Sequence, residues 1–364
     1  MKKPARAARI LILAALSLVS LSLGLAAQDD PPAEAPSPEP SVSATPTSSP
    51  SPVPAPARSK IYVSDSENGR ILIMDDLNGA NLRELGSPGR GRGRFLDPAQ
   101  IWVDKQRFVY VADRGNDRVV RLEMDQLPVW TEIDGLSEPE GVAVWGEELF
   151  VSDTGNDQVL VYNDIANPDL GKPPVRTLKD PRISLPGKLW FDERGSLYVA
   201  AGEDPPGGTI VVIPDPGNPS TDPSKWEIYD GKGLRPTGYQ PAQALLRNGR
   251  LLSIDVSSNR LTACDHMTGQ RARELGGYGS GLGRFMRPEG LAVDDQGRIY
   301  IADTGNDRIV RIDDPTGAGW TEFEPGRDPN ALLRGPKSLF VWAPSKPAPP
   351  EPPKDDKKDE KKEE

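Results

Sequence analysis

The chain has 364 residues, a net charge of −10, one cysteine and one histidine. A lone cysteine excludes an intramolecular disulfide, and a lone histidine excludes a site built from several imidazoles. An acidic chain is a poor fit to a phosphate backbone, so nucleic acid is not an expected partner.

In chain order, Lys2, Lys3, Arg6 and Arg9 precede an uncharged apolar run from Ile10 to Ala27. This reads as an export signal, with Gly24, Ala26 and Ala27 small enough for cleavage, although the same run is also just long enough to stay as a membrane anchor. The protein is therefore expected outside the cytoplasm, either periplasmic, secreted or held at the outer face of the membrane, with membrane contact only through an uncleaved N-terminal segment. Residues 28–58 are rich in Pro, Ser and Ala and read as a solvated spacer. Residues 344–364, Pro-rich and then mixed in charge, read as a disordered tail. Between them, 59–343 hold 33 basic and 43 acidic residues, so the acidity belongs to the folded part.

That part repeats itself. Hairpins begin IYVSDSENGRIL at Ile61, VYVADRGNDRVV at Val109, LFVSDTGNDQVL at Leu149, LLSIDVSSNRLT at Leu251 and IYIADTGNDRIV at Ile299, with an altered copy LYVAAGEDPPGGTIV at Leu197. Alternating β-branched and aromatic residues around a polar turn predict two strands each. The aspartate closing the first strand recurs at Asp65, Asp113, Asp153, Asp255 and Asp303, with Ala201 in the altered copy, at spacings of 40 to 54 residues. Repeats of this period predict propeller blades. A Pro-x-x-apolar strand stands before each hairpin except the first, at Pro98, Pro139, Pro186, Pro241 and Pro288, and a sixth, at Pro336, has no hairpin after it. With a short fourth strand per unit, such as those ending at Ile133, Tyr229 and Phe323, the expected fold is all-β: a six-bladed β-propeller whose C-terminal strand completes the N-terminal blade.

PEGLAVDDQGRIYIADTGNDRIVRI, from Pro288, resembles the NHL repeat throughout, and the Gly-rich segments 83–95 and 273–285 resemble the connector that precedes such repeats. The resemblance implies the same fold for all six units. It implies no single function, because such propellers serve as scaffolds, binding modules and enzymes.

The Asp, Asn and Arg of the hairpins, such as Asp303, Asn306 and Arg308, have the residue types of a catalytic cluster, but recurrence in five blades is the mark of a framework. Arg90, Arg92 and Arg94 form a basic connector with no helix after it, so no phosphate cradle is expected. If the Pro-led strands are innermost, as the resemblance implies, Gln100, Glu140, Lys188, Gln243, Glu289 and Lys337 ring one mouth of the channel. They are the candidate ligand-binding set, with rim ion pairs Glu140–Lys188 and Glu289–Lys337 as the structural alternative. The irregular blade 4 loops offer a second, partner-binding set in Glu203, Asp204, Tyr229 and Tyr239, while Trp226 is expected in the core. Cys264 is expected to be an ordinary buried thiol.

The functional expectation is a monomeric, non-catalytic binding or scaffold module for a protein or envelope component. The alternative is a channel enzyme, a calcium-dependent lactonase type or a lyase. His266 alone cannot make a lyase site, and calcium, which accepts oxygen ligands, enters only under the lactonase alternative. No metal ligands, catalytic residues or other cofactors are expected.

Overall fold

The computed structural model describes residues 59–123, 130–163, 172–202, 208–218, 222–230, 239–265, 268–323 and 333–343. The segments expected to be export signal, spacer and tail lie outside the described residues. None of the described helices is long and apolar enough to cross a membrane.

The described strands form six four-stranded antiparallel sheets. Their innermost strands are Pro336–Trp342 in blade 1, Pro98–Val103 in blade 2, Gly141–Trp145 in blade 3, Pro186–Phe191 in blade 4, Pro241–Arg247 in blade 5 and Pro288–Val293 in blade 6. Blade 1 is composite. Its inner strand comes from the C-terminal end and pairs antiparallel with Lys60–Asp65, matching Leu339 to Val63 and Trp342 to Lys60.

Each sheet is covered on both faces by its neighbours, which is why strands such as Ile299–Asp303 are buried at every residue rather than at alternate ones. The apolar side chains gather into six clusters among the described residues, one at each junction between blades. At the junction of blades 6 and 1, Tyr300, Ala302 and Ile309 pack on Ile61, Val63 and Leu339. Trp226 lies in the core between blades 3 and 4, with Phe191 and Val211.

The hairpin motif is a framework device. Asp303 accepts from the Met286 backbone N–H (2.7 Å), from Asn306 Nδ2 (2.7 Å) and from Arg308 Nε (2.8 Å). Asp113 does the same with Leu96, Asn116 and Arg118. One carboxylate thus ties the segment leading into the inner strand to the hairpin turn. The glycine of the motif serves close approach rather than positive φ. A Cβ on Gly305 would stand 2.8 Å from the Met286 carbonyl oxygen, which accepts from the Gly305 N–H. The left-handed residue is the next but one, Asp307 at φ 53°, with Asp117 and Asp157 both at 55° in the same place. Their carboxylates reach the next blade: Asp157 accepts from Leu185 N–H, and Asp307 from Gly335 N–H. Such a side chain offsets part of its own backbone strain.

The basic connector is anchored at its end. Phe95 is fully buried, and the carbonyls of Gly91 and Arg94 accept from Arg118 Nη2. Phe285 and the Arg284 carbonyl repeat the arrangement on Arg308.

Candidate ligand-binding mouth of the propeller

Five of the six inner strands shift register just after their proline, between Pro98 and Ile101 in blade 2 and between Pro186 and Leu189 in blade 4, for example. A bulge re-aims the side chains beside it. The Pro-x-x motif therefore turns the residues after each proline towards the axis of the ring, where the exposed edges of the inner strands need partners.

Two members of the expected mouth set meet that need and leave the rim. Gln100, 2 % exposed, accepts from Val142 N–H (3.0 Å) and Leu189 N–H (2.8 Å) and donates to Leu189 O (2.7 Å), linking blades 2, 3 and 4. Gln243 accepts from Leu291 N–H (2.9 Å), joining blades 5 and 6. Both polar ends of Gln100 are committed to backbone, so it is a strut rather than a ligand contact, and Gln243 commits its side-chain oxygen in the same way. In blade 1 Ser338 has the equivalent place and accepts from Ile101 N–H.

The other four, Glu140, Lys188, Glu289 and Lys337, are brought together around a depression of about 320 Å³. Arg114 and Arg287 join them there. In place of the expected Glu289–Lys337 pair, each of those two residues has another partner. Glu140 lies 3.4 Å from Arg114, Glu289 pairs with Arg287 at 3.1 Å, and Lys337 pairs with Asp97 at 2.6 Å. Arg114 also reaches Glu138 at 2.7 Å and Asp97 at 3.5 Å. Burial works against its charge, but the carboxylates of Glu140, Glu138 and Asp97 outweigh that, and its guanidinium sits above its ordinary pKa.

The sequence did carry a sign of Arg114. The residue after the hairpin aspartate is Ser66 in blade 1, Thr154 in blade 3 and Thr304 in blade 6, each donating its hydroxyl to the carbonyl of the next blade's leading proline. Blade 2 puts arginine there instead, a departure from the repeat that points to the mouth. Arg287 and Asp97 precede Pro288 and Pro98, a position the repeat pattern leaves unspecified.

The two tyrosines of the blade 4 set are not at the surface. Tyr229 and Tyr239 are 4 % and 3 % exposed and meet edge to face at 5.9 Å between blades 4 and 5, with the Tyr239 hydroxyl donating to Ser253 Oγ. Both are core residues, a correction that follows from their apolar rings filling an inter-blade gap. Glu203, Asp204 and His266 lie outside the described residues. Cys264 is buried, and burial raises its thiol pKa. Among the described residues no group of three or more His, Cys, Asp or Glu side chains is placed to hold a metal ion.

An NHL repeat model matches residues 285–312, and a family described as a 6-bladed beta-propeller matches residues 48–134. No curated protein matches the chain in sequence. Solved structures match its fold. One is a nidogen/laminin complex, at 15 % identity and TM-score 0.60 over 79 % of this chain and 99 % of that one. Another is a streptogramin B lyase, at 14 % and 0.52 over 78 % and 90 %. A third is a catalytically inactive virginiamycin B lyase from Staphylococcus aureus with quinupristin, at 13 % and 0.51 over 78 % and 87 %. The chain is a six-bladed β-propeller that carries an NHL repeat in its last blade.

Proposed function

We propose that this NHL-type propeller is an extracytoplasmic, non-catalytic binding module that takes its partner at the charged mouth. The observation that carries the reading is the convergence of Arg114, Lys188, Arg287 and Lys337 with Glu140 and Glu289 around one shallow depression. Four basic groups line the depression against two acidic ones, with Asp97 and Glu138 beside Arg114 at its edge, although the folded part as a whole is acidic. A rim of this kind suits a polypeptide that presents an acidic side chain or its terminal carboxylate, with Glu140 and Glu289 rejecting a uniformly anionic ligand. The N-terminal segment would export the propeller and the spacer would hold it clear of its attachment. Similarity to a nidogen/laminin complex and to a streptogramin B lyase supports the fold and leaves binding and catalysis equally open, and the reading as a binding module rests on the rim charges.

The test is site-specific photo-crosslinking of the full chain in its source cells, with the photoreactive residue at Arg287 on the rim or at Arg83, exposed in the fourth strand of blade 1 and away from the mouth. An adduct formed from position 287 and lost in the Arg114→Glu variant is the expected result. No adduct, or equal adducts from both positions, would sink the proposal.

A further inference from the structure

Blades 2, 4 and 6 share a pair that the other blades lack, an aspartate at the end of the inner strand and a tyrosine six residues on: Asp104 and Tyr110, Asp192 and Tyr198, Asp294 and Tyr300. In blades 2 and 6 the tyrosine hydroxyl donates to the carboxylate, at 3.1 and 3.2 Å. Both blades also supply a cation of their own. Register places Arg121 opposite Tyr110 and Arg311 opposite Tyr300. Arg121 is buried and acts on Asp104, while blade 6 adds Arg298, whose Nε lies 2.6 Å from Asp294. A sealed carboxylate without a compensating charge is costly, and these arginines provide the charge.

Blade 4 keeps the acid and the phenol but has neither arginine. Val212 stands opposite Tyr198, and Ser196 takes the place of Arg298. Asp192 Oδ1 accepts from the backbone N–H groups of Arg194 and Ser196, both at 2.9 Å. The Tyr198 hydroxyl, on a side chain 1 % exposed, lies beside the carboxylate without a hydrogen bond of good geometry. At this point a cavity of about 450 Å³ opens, lined by Asp192, Tyr198 and Glu227 on its polar side and Val212, Pro214 and Leu246 on its apolar side. Arg194 also borders it and its charge is felt at Tyr198, but its side chain is exposed and forms no ion pair with Asp192 among the described residues. The cavity lies at the Asp192 end of the blade 4 strands, and the mouth lies at the Lys188 end.

We infer that this cavity is a guanidinium site, in which an arginine group from outside the chain occupies the place that Arg121, Arg298 and Arg311 occupy in the sister blades. A guanidinium can donate to Asp192 Oδ2, the oxygen that the backbone N–H groups leave open, and to the Tyr198 oxygen, while its alkyl stem lies along Val212 and Leu246. Glu227 adds charge at the entrance. The source is either free arginine or an arginine side chain of a polypeptide.

Titration calorimetry of the full chain tests this with three probes: free arginine, N-acetyl-arginine methylamide, and the uncharged isostere N-acetyl-citrulline methylamide. The arginine amide is expected to bind about tenfold more tightly than the citrulline amide and to weaken with salt. Free arginine binding more tightly than the amide identifies a small molecule as the source, and the reverse order identifies a polypeptide, with the guanidinium site upheld in either case. Asp192→Asn, which keeps the Oδ1 acceptor, and Val212→Arg, which restores the arginine of blades 2 and 6, should each reduce binding about tenfold or more. Arg287→Glu at the mouth should leave it unchanged, which separates this site from the mouth. Equal binding of the arginine and citrulline amides, no detectable binding of the arginine amide, or unchanged binding in both Asp192→Asn and Val212→Arg would overturn the inference.

Discussion

Arg308 donates to Asp303 through Nε at 2.8 Å with both side chains almost sealed from water, 4 % and 0 % exposed. The remaining guanidinium nitrogens reach Glu322 in the fourth strand and the Arg284 carbonyl in the connector. One ion pair therefore holds hairpin, outer strand and connector of blade 6 in a fixed relation. Removing one partner of such a pair leaves the other charge buried and alone, at a cost of about 3–5 kcal/mol. Asp303→Ala should lower the urea midpoint accordingly, with the variant's heat denaturation also shifted down. Arg271 and Asp265, 3.5 Å apart and 86 % and 39 % exposed, are the comparison, and Arg271→Ala should cost no more than about 1 kcal/mol. Equal shifts for the two variants would falsify the framework role given to the hairpin motif.

Closing the ring is expected to be all or none. Pro336–Trp342 fills the inner position of blade 1, with Ser338 fully buried and hydrogen bonded to Ser64. Without residues 336–343 the edge at Lys60–Asp65 has no partner, and both the apolar junction with blade 6 and the polar link to Ile101 are lost. The truncated chain should show no cooperative melting and should aggregate. A soluble monomer with the parent melting temperature would contradict the closure.

Two aspartates predict opposite limbs in the pH dependence of stability. Hydrogen bonds from Leu185 N–H and Ser184 hold the Asp157 carboxyl below 3.8. Its contribution is full above the unfolded value and is lost as pH falls through the folded one. For Asp104, burial prevails over the hydrogen bonds from Phe108 and Tyr110 and pushes the carboxyl above 3.8. The folded state then holds its proton more firmly than the unfolded state, so stability declines as pH rises from 3.8 through the folded value. Melting temperature should be flatter on the upper side in Asp104→Asn and flatter on the lower side in Asp157→Asn, measured between about pH 3 and about pH 7. Parallel curves for parent and both variants would remove the assignment.

The blade count and strand order were legible in the sequence because a repeat announces itself by recurrence, and Asp65 through Asp303 mark the same place in successive blades. Charge at the mouth was only half legible. Gln100 and Gln243 carry the same polar signal as Glu140 and Glu289, and only the backbone groups left open on neighbouring inner strands reveal that the glutamines are consumed as struts. Tyr229 and Tyr239 illustrate the reverse error. Their loop-rich surroundings suggested a surface, but packing against Cys264, Leu251 and each other places them in the core. The blade 4 cavity was written in the sequence as Val212 and Ser196 where sister blades hold arginine, a signal that becomes readable only once register aligns the strands.

Gln100 offers the sharpest check on how the axis of the ring is held. Its side chain serves two backbone N–H groups and one carbonyl from blades 3 and 4, and Gln243 serves one N–H from blade 6. Leucine has nearly the same volume and none of the polarity, so each substitution strands the backbone groups its glutamine had satisfied. With about 1–3 kcal/mol for each buried group left unpaired, Gln100→Leu should cost two to three times as much as Gln243→Leu. Amide hydrogen exchange separates this from a packing effect. Val142 and Leu189 should lose protection selectively in Gln100→Leu, and Leu291 in Gln243→Leu, while core amides such as Val151 exchange as before. If Gln100→Leu shifts the midpoint no more than Gln243→Leu and Val142 keeps its protection, the glutamine is not the strut that joins blades 2, 3 and 4.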